Sequence, residues 1–330
     1  MRVLWTTNED PLKANSLVFL HSSMEGLKLH GINVQLECIG SLKTPRGFWR
    51  AAQHIQSMSK SFDIIHSQYG SACGLATSLS TNQHKIITLR GSDWSDSLSG
   101  GLNTKSHQFT AKILTLISLR RYSKVITVSN RMAASIRRLR IAPPVTVLPS
   151  AINLNRFKLI DRQVARNAIG EGSDQRQWVL FTSLSIDNPI KRYQLACEAF
   201  NIANQHYGGR LRLKVLSDVP HEMVPLHVAA CDIILCTSQS EGWPNSVKEA
   251  IACGVPFVST DVSDLREISI NAPPCKVCKA TPIDLANGLV DILNNPFNRA
   301  LDGFIIRNTI QFMGTETSAE ALANMYKSQL

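Results

Sequence analysis

The 330-residue sequence predicts two successive α/β domains, each a doubly wound, Rossmann-like parallel sheet, with a cleft between them. Three observations predict this. Domains run roughly 100–200 residues, so the length suits two. Short β-branched runs alternate with longer helical stretches, the pattern of βαβ units and parallel sheets. That alternation stops in a polar stretch, Ala151 to Gln177, and then restarts.

In the first half, Arg2–Thr7, Ile32–Ile39, Ile64–Gln68, Lys85–Arg90, Val125–Ser129 and Val145–Ser150 have the length and composition of strands. Leu17–His30, Phe48–Ser59 and Phe109–Arg121 carry helical periodicity between them. After the polar stretch, read as a linker, Trp178–Ser183, Arg212–Asp218, Asp232–Ser238 and Pro256–Asp261 read as strands. Tyr193–Ala203, Ser246–Cys253 and Ile283–Leu293 read as helices. Glu316–Leu330 closes the chain as a helix with Ala319, Leu322, Ala323 and Tyr326 on one face. The expected domains are 1–152, joined by the last helix 316–330, and 153–315.

Hydrophobic residues make up 44% and charged residues 18%, a globular balance and not a disordered one. No apolar run reaches the roughly 18 residues that span a bilayer, and MRVLWTTNEDPLK meets Glu9 and Asp10 before any long apolar region. A soluble, cytoplasmic protein is expected. Eight scattered cysteines suit buried thiols of a reducing compartment. Cys275-Lys-Val-Cys278 is a lone pair with no second pair or histidine nearby, so neither a metal nor a cofactor is expected.

Charge divides the chain. Residues 1–150 hold 18 Lys and Arg against 7 Asp and Glu, a net +11, whereas residues 151–330 carry a net −1. Seven cations and no acid lie within Arg120–Arg140. A solvated basic face is the ordinary meaning of such a run. It also suits an anionic membrane surface, which attracts each cation by about 1 kcal/mol. No nucleic-acid motif accompanies it, so no nucleic acid is expected as partner.

The sharpest segment runs from Cys236 to Pro256. A buried strand ends in a polar loop carrying Glu241, and Pro244 and Asn245 open a helix that Gly254 and Pro256 close. Glu241 and Glu249 flank the helix N-terminus, whose free N–H groups suit a phosphate. Carboxylates beside a phosphate site suit hydroxyls. On spacing alone they serve equally as a dipole partner and a solvated helix residue. Lys191 and Arg192 follow the strand Trp178–Ser183 through an Asn188-Pro189 turn. Cations at a helix N-terminus oppose its dipole, which favours an anionic ligand there. In the first half, Arg90, Gly91 and Asp93 sit at a strand end facing the expected cleft. His66, also near a strand end, reads as a core histidine with a satisfied hydrogen bond.

Glu241-Gly-Trp-Pro-Asn-Ser-Val-Lys-Glu249 resembles the E-x7-E signature of glycosyltransferase family 4, retaining enzymes of the GT-B fold. Asp63-Ile-Ile-His-Ser-Gln, Thr88-Leu-Arg-Gly-Ser-Asp93, Val125-Ile-Thr-Val-Ser129 and Val147-Leu-Pro-Ser-Ala-Ile-Asn153 are similar to further family segments, in the right order, so the resemblance covers most of the chain. It departs at Ser183-Leu184, where a Gly-Arg pair is usual, at Ala151 and Asn153 in the linker, and at Ala14-Asn15-Ser16, where a glycine-rich loop is usual.

The resemblance implies a metal-independent retaining transfer of a sugar from a nucleoside diphosphate donor, UDP- or GDP-linked, to a hydroxyl of a glycan or lipid-linked acceptor. Cell-surface polysaccharide or glycolipid synthesis is the implied setting, with peripheral attachment to the inner face of the membrane. Glu249 would hold the donor ribose and Glu241 contact the donor sugar. Backbone at Asn245, Ser246 and Val247 would cradle the diphosphate, which Lys191 and Arg192 would neutralise as it leaves. Arg90, Gly91 and Asp93 would line the acceptor side. Alternatives on the same fold are a sugar-nucleotide epimerase or hydrolase, and an inactive nucleotide-sugar-binding protein.

Overall fold

The computed structural model describes all residues except 10–16, 92, 95–101, 141, 184, 218 and 296. The chain forms two compact units, residues 1–151 with 313–330, and residues 152–312.

The first unit holds six parallel strands: β1 (Arg2–Thr7), β2 (Asn33–Cys38), β3 (Ile64–Ser67), β4 (Lys85–Leu89), β5 (Lys124–Thr127) and β6 (Val145–Val147). Their spatial order is β2-β1-β3-β4-β5-β6. The chain steps one way from β1 to β2, then returns past β1 to β3, so the topology switches between β1 and β3. Successive strand residues face opposite layers. Val3 and Trp5 join Leu20, Leu27, Leu322 and Tyr326 on one face. Leu4 joins Ala51, Ile55, Cys73 and Ala76 on the other. Helices Val18–Leu29 and Thr315–Lys327 therefore cover the first face, and Pro45–Ser59 and Ser71–Ser78 the second.

The second unit repeats the plan with β7 (Gln177–Thr182), β8 (Leu211–Leu216), β9 (Ile233–Cys236), β10 (Phe257–Thr260) and β11 (Lys276–Cys278), in the order β11-β10-β9-β7-β8. Its switch lies between β7 and β9. Helices Tyr193–His206 and Pro282–Asn294 pack with Val179, Phe181, Ile233 and Leu235 on one face.

The supposed linker is folded, which corrects the sequence expectation. Ile152 and Phe157 are buried. Asp161 caps helix Arg162–Ala168 by accepting from the Gln163 and Val164 amides at 2.8 and 3.0 Å. Arg307 donates to the carbonyls of Leu154, Phe157 and Ala252, tying this segment to the second unit. The helix is seven residues long and its buried face includes Arg166, so no apolar period announces it. That guanidinium donates to the Ala230 carbonyl and the Asp232 carboxylate and lies over the Trp178 ring. The Cys275–Cys278 stretch supplies edge strand β11.

Candidate active site

Ligands of doubly wound sheets bind beyond the strand carboxyl ends where the topology switches. In the second unit that place is built by the loops after β7 and β9. Lys191 Nζ donates to Glu241 Oε1 at 2.6 Å, and Ser238 Oγ donates to the same oxygen at 2.8 Å. The Glu241 carboxylate raises the Lys191 pKa against the opposing pull of burial.

The two loops clamp each other. The Thr237 hydroxyl donates to the carbonyls of Lys191 and Arg192 at 2.7 and 3.1 Å. In return, Arg192 Nε and Nη2 donate to the carbonyls of Thr237 and Ser238 at 2.6 and 2.9 Å. The Gln239 amide donates to the Ile190 carbonyl at 2.8 Å. Arg192 sits in the left-handed region, φ 52° and ψ 53°, a conformation that costs a non-glycine residue of order 1–3 kcal/mol and persists only where neighbours enforce it. Arg192 is thus a brace that aims the preceding lysine. Two of its five N–H donors are engaged by backbone carbonyls of the facing loop.

Helix Asn245–Ala252 begins beside Glu241. Pro244, not Asn245, occupies the N-cap, and no side chain caps the helix. The Val247 and Lys248 amides both reach the Pro244 carbonyl at 3.1 Å. The Asn245 and Ser246 amides have no partner among the described residues, so the positive end of the helix stays open. Gly254 ends it with φ +67°, where a Cβ would meet Gly303 Cα at 2.9 Å. Val247, Ala250 and Ile251 are buried and Asn245 is exposed. Glu249 lies one turn in, on the partly exposed side, and its carboxylate has no hydrogen-bond partner among the described residues. Burial lifts its pKa from 4.5 to about 7, against the opposing pull of Lys248 and Arg156.

The first unit treats its switch point differently. Trp5 Nε1 donates to the Tyr326 hydroxyl at 2.8 Å, and that oxygen lies 2.5 Å from His66 Nδ1. His66 Nε2 is 2.7 Å from Thr88 Oγ1. Burial, aided by Arg90, lowers the His66 pKa from 6.5 to about 3, so the imidazole is neutral. A neutral ring offers one acceptor and one donor. The chain closes when Tyr326 donates to Nδ1 and Nε2–H donates to Thr88. His66 is the satisfied core histidine that its setting suggested.

Asp93 is only 3% exposed. Its carboxylate accepts from the amides of Gly70 at 2.7 Å, and of Arg90 and Gly91 at 2.9 Å each. It folds the loop after β4 and ties that loop to Gly70 after β3. Gly91 has φ +128°, a value only glycine adopts freely. Arg90 donates to the Gln68 carbonyl and Oε1 at 3.0 and 2.6 Å and to Ser150 Oγ at 2.7 Å. It lines a cavity of about 30 Å³ together with His66, Gln68, Ser150 and Ser318.

Three features escaped the sequence. Ser238 shares Glu241, and its signal was its place at the end of the expected strand, three residues before that acid. Thr237 locks both loops, and Tyr326 seals the first switch point. Asn153 forms an Asx turn, accepting from the Asn155 and Arg156 amides at 3.0 and 2.9 Å. Leu184 and Ala14–Ser16 lie outside the described residues. The basic run splits. Arg120, Arg121, Lys124, Arg137, Arg138 and Arg140 gather toward the amino ends of β5 and β6, while Arg131 lies in the first turn of helix Asn130–Arg137. Among the described residues no helix is long and apolar enough to cross a membrane.

Two parallel-sheet units, each with a switch point at its strand carboxyl ends, define the GT-B class of fold. Residues 4–156 match the family described as Glycosyltransferase Family 4, and residues 199–311 match Glycosyl transferases group 1. Over these two stretches the chain is similar to glycosyltransferases of family 4 and of group 1. It is 26% identical over 222 residues to TuaC of Bacillus subtilis (strain 168), named as a teichuronic acid biosynthesis glycosyltransferase. That match takes in 62% of this chain and 55% of TuaC, so the chain spans about half the length of that relative. Among solved structures, sucrose-phosphate synthase from Thermosynechococcus elongatus shares the fold at TM-score 0.77 and 16% identity, over 99% of this chain and 98% of that one. Anabaena HepE, solved with UDP and glucose, does so at 0.72 and 16%, over 99% and 100%.

Proposed function

We propose that the chain is a retaining glycosyltransferase that moves a sugar from a UDP- or GDP-linked donor to a hydroxyl of a glycan or lipid-linked acceptor, in cell-surface polysaccharide or glycolipid synthesis. The observation that carries the proposal is the second switch point. It gathers a half-buried cation (Lys191), an uncapped helix N-terminus (Asn245, Ser246) and a carboxylate without a hydrogen-bond partner among the described residues (Glu249) within one loop cluster. A diphosphate needs the first two and a ribose the third. HepE was solved with UDP and with UDP-glucose, which favours a donor of the same chemical kind.

In this reading Lys191 moves from Glu241 to the diphosphate, whose charge grows as the sugar departs. Glu241, released, takes a hydroxyl of the donor sugar. Charge stabilisation supplies the main rate effect, and Lys191 and the helix terminus can supply it without a metal. The first unit receives the acceptor. Attachment to the inner face of the cell membrane through the Arg120–Arg140 cations accompanies this role.

Calorimetric titration with UDP, GDP and their sugar conjugates tests the proposal. Saturable binding of one series, weakened by Glu249→Gln and followed by sugar release to an acceptor, is the expected result. No binding of either series would overturn it.

A further inference from the structure

The first unit is asymmetric in a way that charge totals conceal. One layer of its sheet is covered by Val18–Leu29 and Thr315–Lys327, which carry Glu25, Glu316 and Glu320. The opposite layer consists of Pro45–Ser59, Ser71–Ser78 and Leu102–Leu119, packed side by side, and of Asn130–Arg137, placed there by the right-handed crossover from β5 to β6. These four helices contain no Asp or Glu at all.

The same layer exposes apolar side chains. Of the six large hydrophobic residues exposed on this unit among the described residues, four are here: Trp49 (58%), Phe109 (55%), Ile113 (38%) and Ile117 (54%). Phe109, Ile113 and Ile117 are four residues apart, so they form one stripe along the outer side of Leu102–Leu119. Exposed Lys43, Arg46 and Arg50 surround Trp49, and Lys105, Arg120 and Arg121 stand at the two ends of the stripe. Lys43 and Arg46 lie at the amino end of Pro45–Ser59 with no acid in its first turn. Cations there oppose the helix dipole unless an anionic surface faces them.

We infer that this layer of acid-free helices, where the neighbouring carboxylate of Glu37 is paired with His54, is a docking face for an anionic lipid bilayer, with Trp49 and the Phe109–Ile113–Ile117 stripe inserting at the headgroup boundary and the flanking cations meeting lipid phosphates. The inference deepens the peripheral attachment proposed above by moving its centre from Arg120–Arg140 to an apolar and basic face. Exposed apolar residues framed by cations are what interfacial binding needs. Two kinds of attraction, apolar and electrostatic, give firmer attachment than either alone.

Co-sedimentation of the full chain with vesicles of three parts phosphatidylcholine to one part phosphatidylglycerol tests this, against vesicles of phosphatidylcholine alone. The chain should pellet with the anionic vesicles, and Phe109→Gln with Ile117→Gln should weaken that binding about tenfold or more while leaving the melting temperature unchanged. Trp49→Phe should remove most of the lipid-induced blue shift in tryptophan emission. The inference is overturned if the chain ignores anionic vesicles. It is overturned too if the Gln pair binds as tightly as the parent while Arg137→Gln with Arg138→Gln abolishes binding. A parent dimer that the Gln pair converts to monomer, with no vesicle binding, would assign the face to a second copy instead. Nucleotide titration of the same variants reads the transferase proposal separately, because none of these residues belongs to the second unit.

Discussion

The two units share a topology and differ in what fills its switch point. Between β1 and β3 the molecule places its own side chains: Tyr326 arrives from the final helix and bonds to Trp5 and His66. Between β7 and β9 it leaves an uncapped helix end, an ion pair at the surface of a loop cluster, and a carboxylate with no partner among the described residues. The Trp5–Tyr326–His66–Thr88 chain is satisfied from within, although Gln68 Nε2 and Ser318 Oγ in the adjoining cavity have no partner among the described residues. The second switch point has unspent hydrogen-bonding capacity in its helix terminus and Glu249. Buried polar groups are normally paired, and the capacity left over at the second switch point is what the proposed donor would use.

That contrast predicts which damage hurts stability and which hurts function. The largest effect belongs to the sealed site. Tyr326→Ala empties a fully buried ring position and strands Trp5 Nε1 and His66 Nδ1, so a loss of about 3–5 kcal/mol is expected. Chemical denaturation followed by near-ultraviolet circular dichroism would measure it, and nucleotide binding by the second unit should survive at denaturant concentrations where the first is loosened. An equal loss of both would mean that the two units do not melt independently.

Lys191→Met probes the open site. Removing one charge donor to a developing oxyanion typically costs on the order of 10²–10³ in rate. Stability should change little, since the lysine is part-exposed and its partner Glu241 keeps Ser238. A variant with unchanged kcat would place the cation elsewhere. Arg192→Lys serves as the control for the brace: it breaks the clamp on Thr237 and Ser238, so it should lower both the rate and the melting temperature. A smaller stability effect is expected for Asp93→Asn. The amide keeps one accepting oxygen for three backbone N–H groups, costing about 1–3 kcal/mol, with the nucleotide affinity of the second unit unmoved.

The fold was legible because its strands are buried on both sides and read as short β-branched runs set between helices. β11 and helix Arg162–Ala168 were not, since three residues on a sheet edge and seven residues around a buried arginine carry no period. At the candidate site, the local part was legible: Glu241, Glu249 and the helix between them lie within nine residues of each other in sequence. The pairing of Lys191 with Glu241 spans 50 residues and depends on both loops leaving adjacent strands, which spacing cannot show. Arg192 and Asp93 illustrate the opposite problem. Each is a charged residue in a loop at a strand end, and only the geometry shows that its side chain is bonded to backbone groups.

The finest distinction between the two switch points concerns protons. His66, sealed and pushed down to about 3, stays neutral across the neutral range, whereas Glu249, pushed up to about 7, changes charge within it. Folding favours the protonated form of Glu249, because its ordinary value of 4.5 applies in the unfolded chain. The stability it confers is therefore complete below pH 4.5 and declines as pH rises through about 7. Glu249→Gln should match the parent in melting temperature at pH 5 and exceed it at pH 8. Donor binding should run the other way. Ribose hydroxyls donate to the charged carboxylate, so affinity for the nucleotide sugar should rise about tenfold between pH 6 and pH 8, the ratio expected when one group with a value near 7 must be ionised. The sugar conjugate is the ligand to use, since a terminal phosphate itself titrates near 6. In Glu249→Gln the pH dependence of affinity should be flat. A parent profile that is equally flat would show that Glu249 is not the group that meets the donor, and would leave the open helix terminus and Lys191 to account for binding.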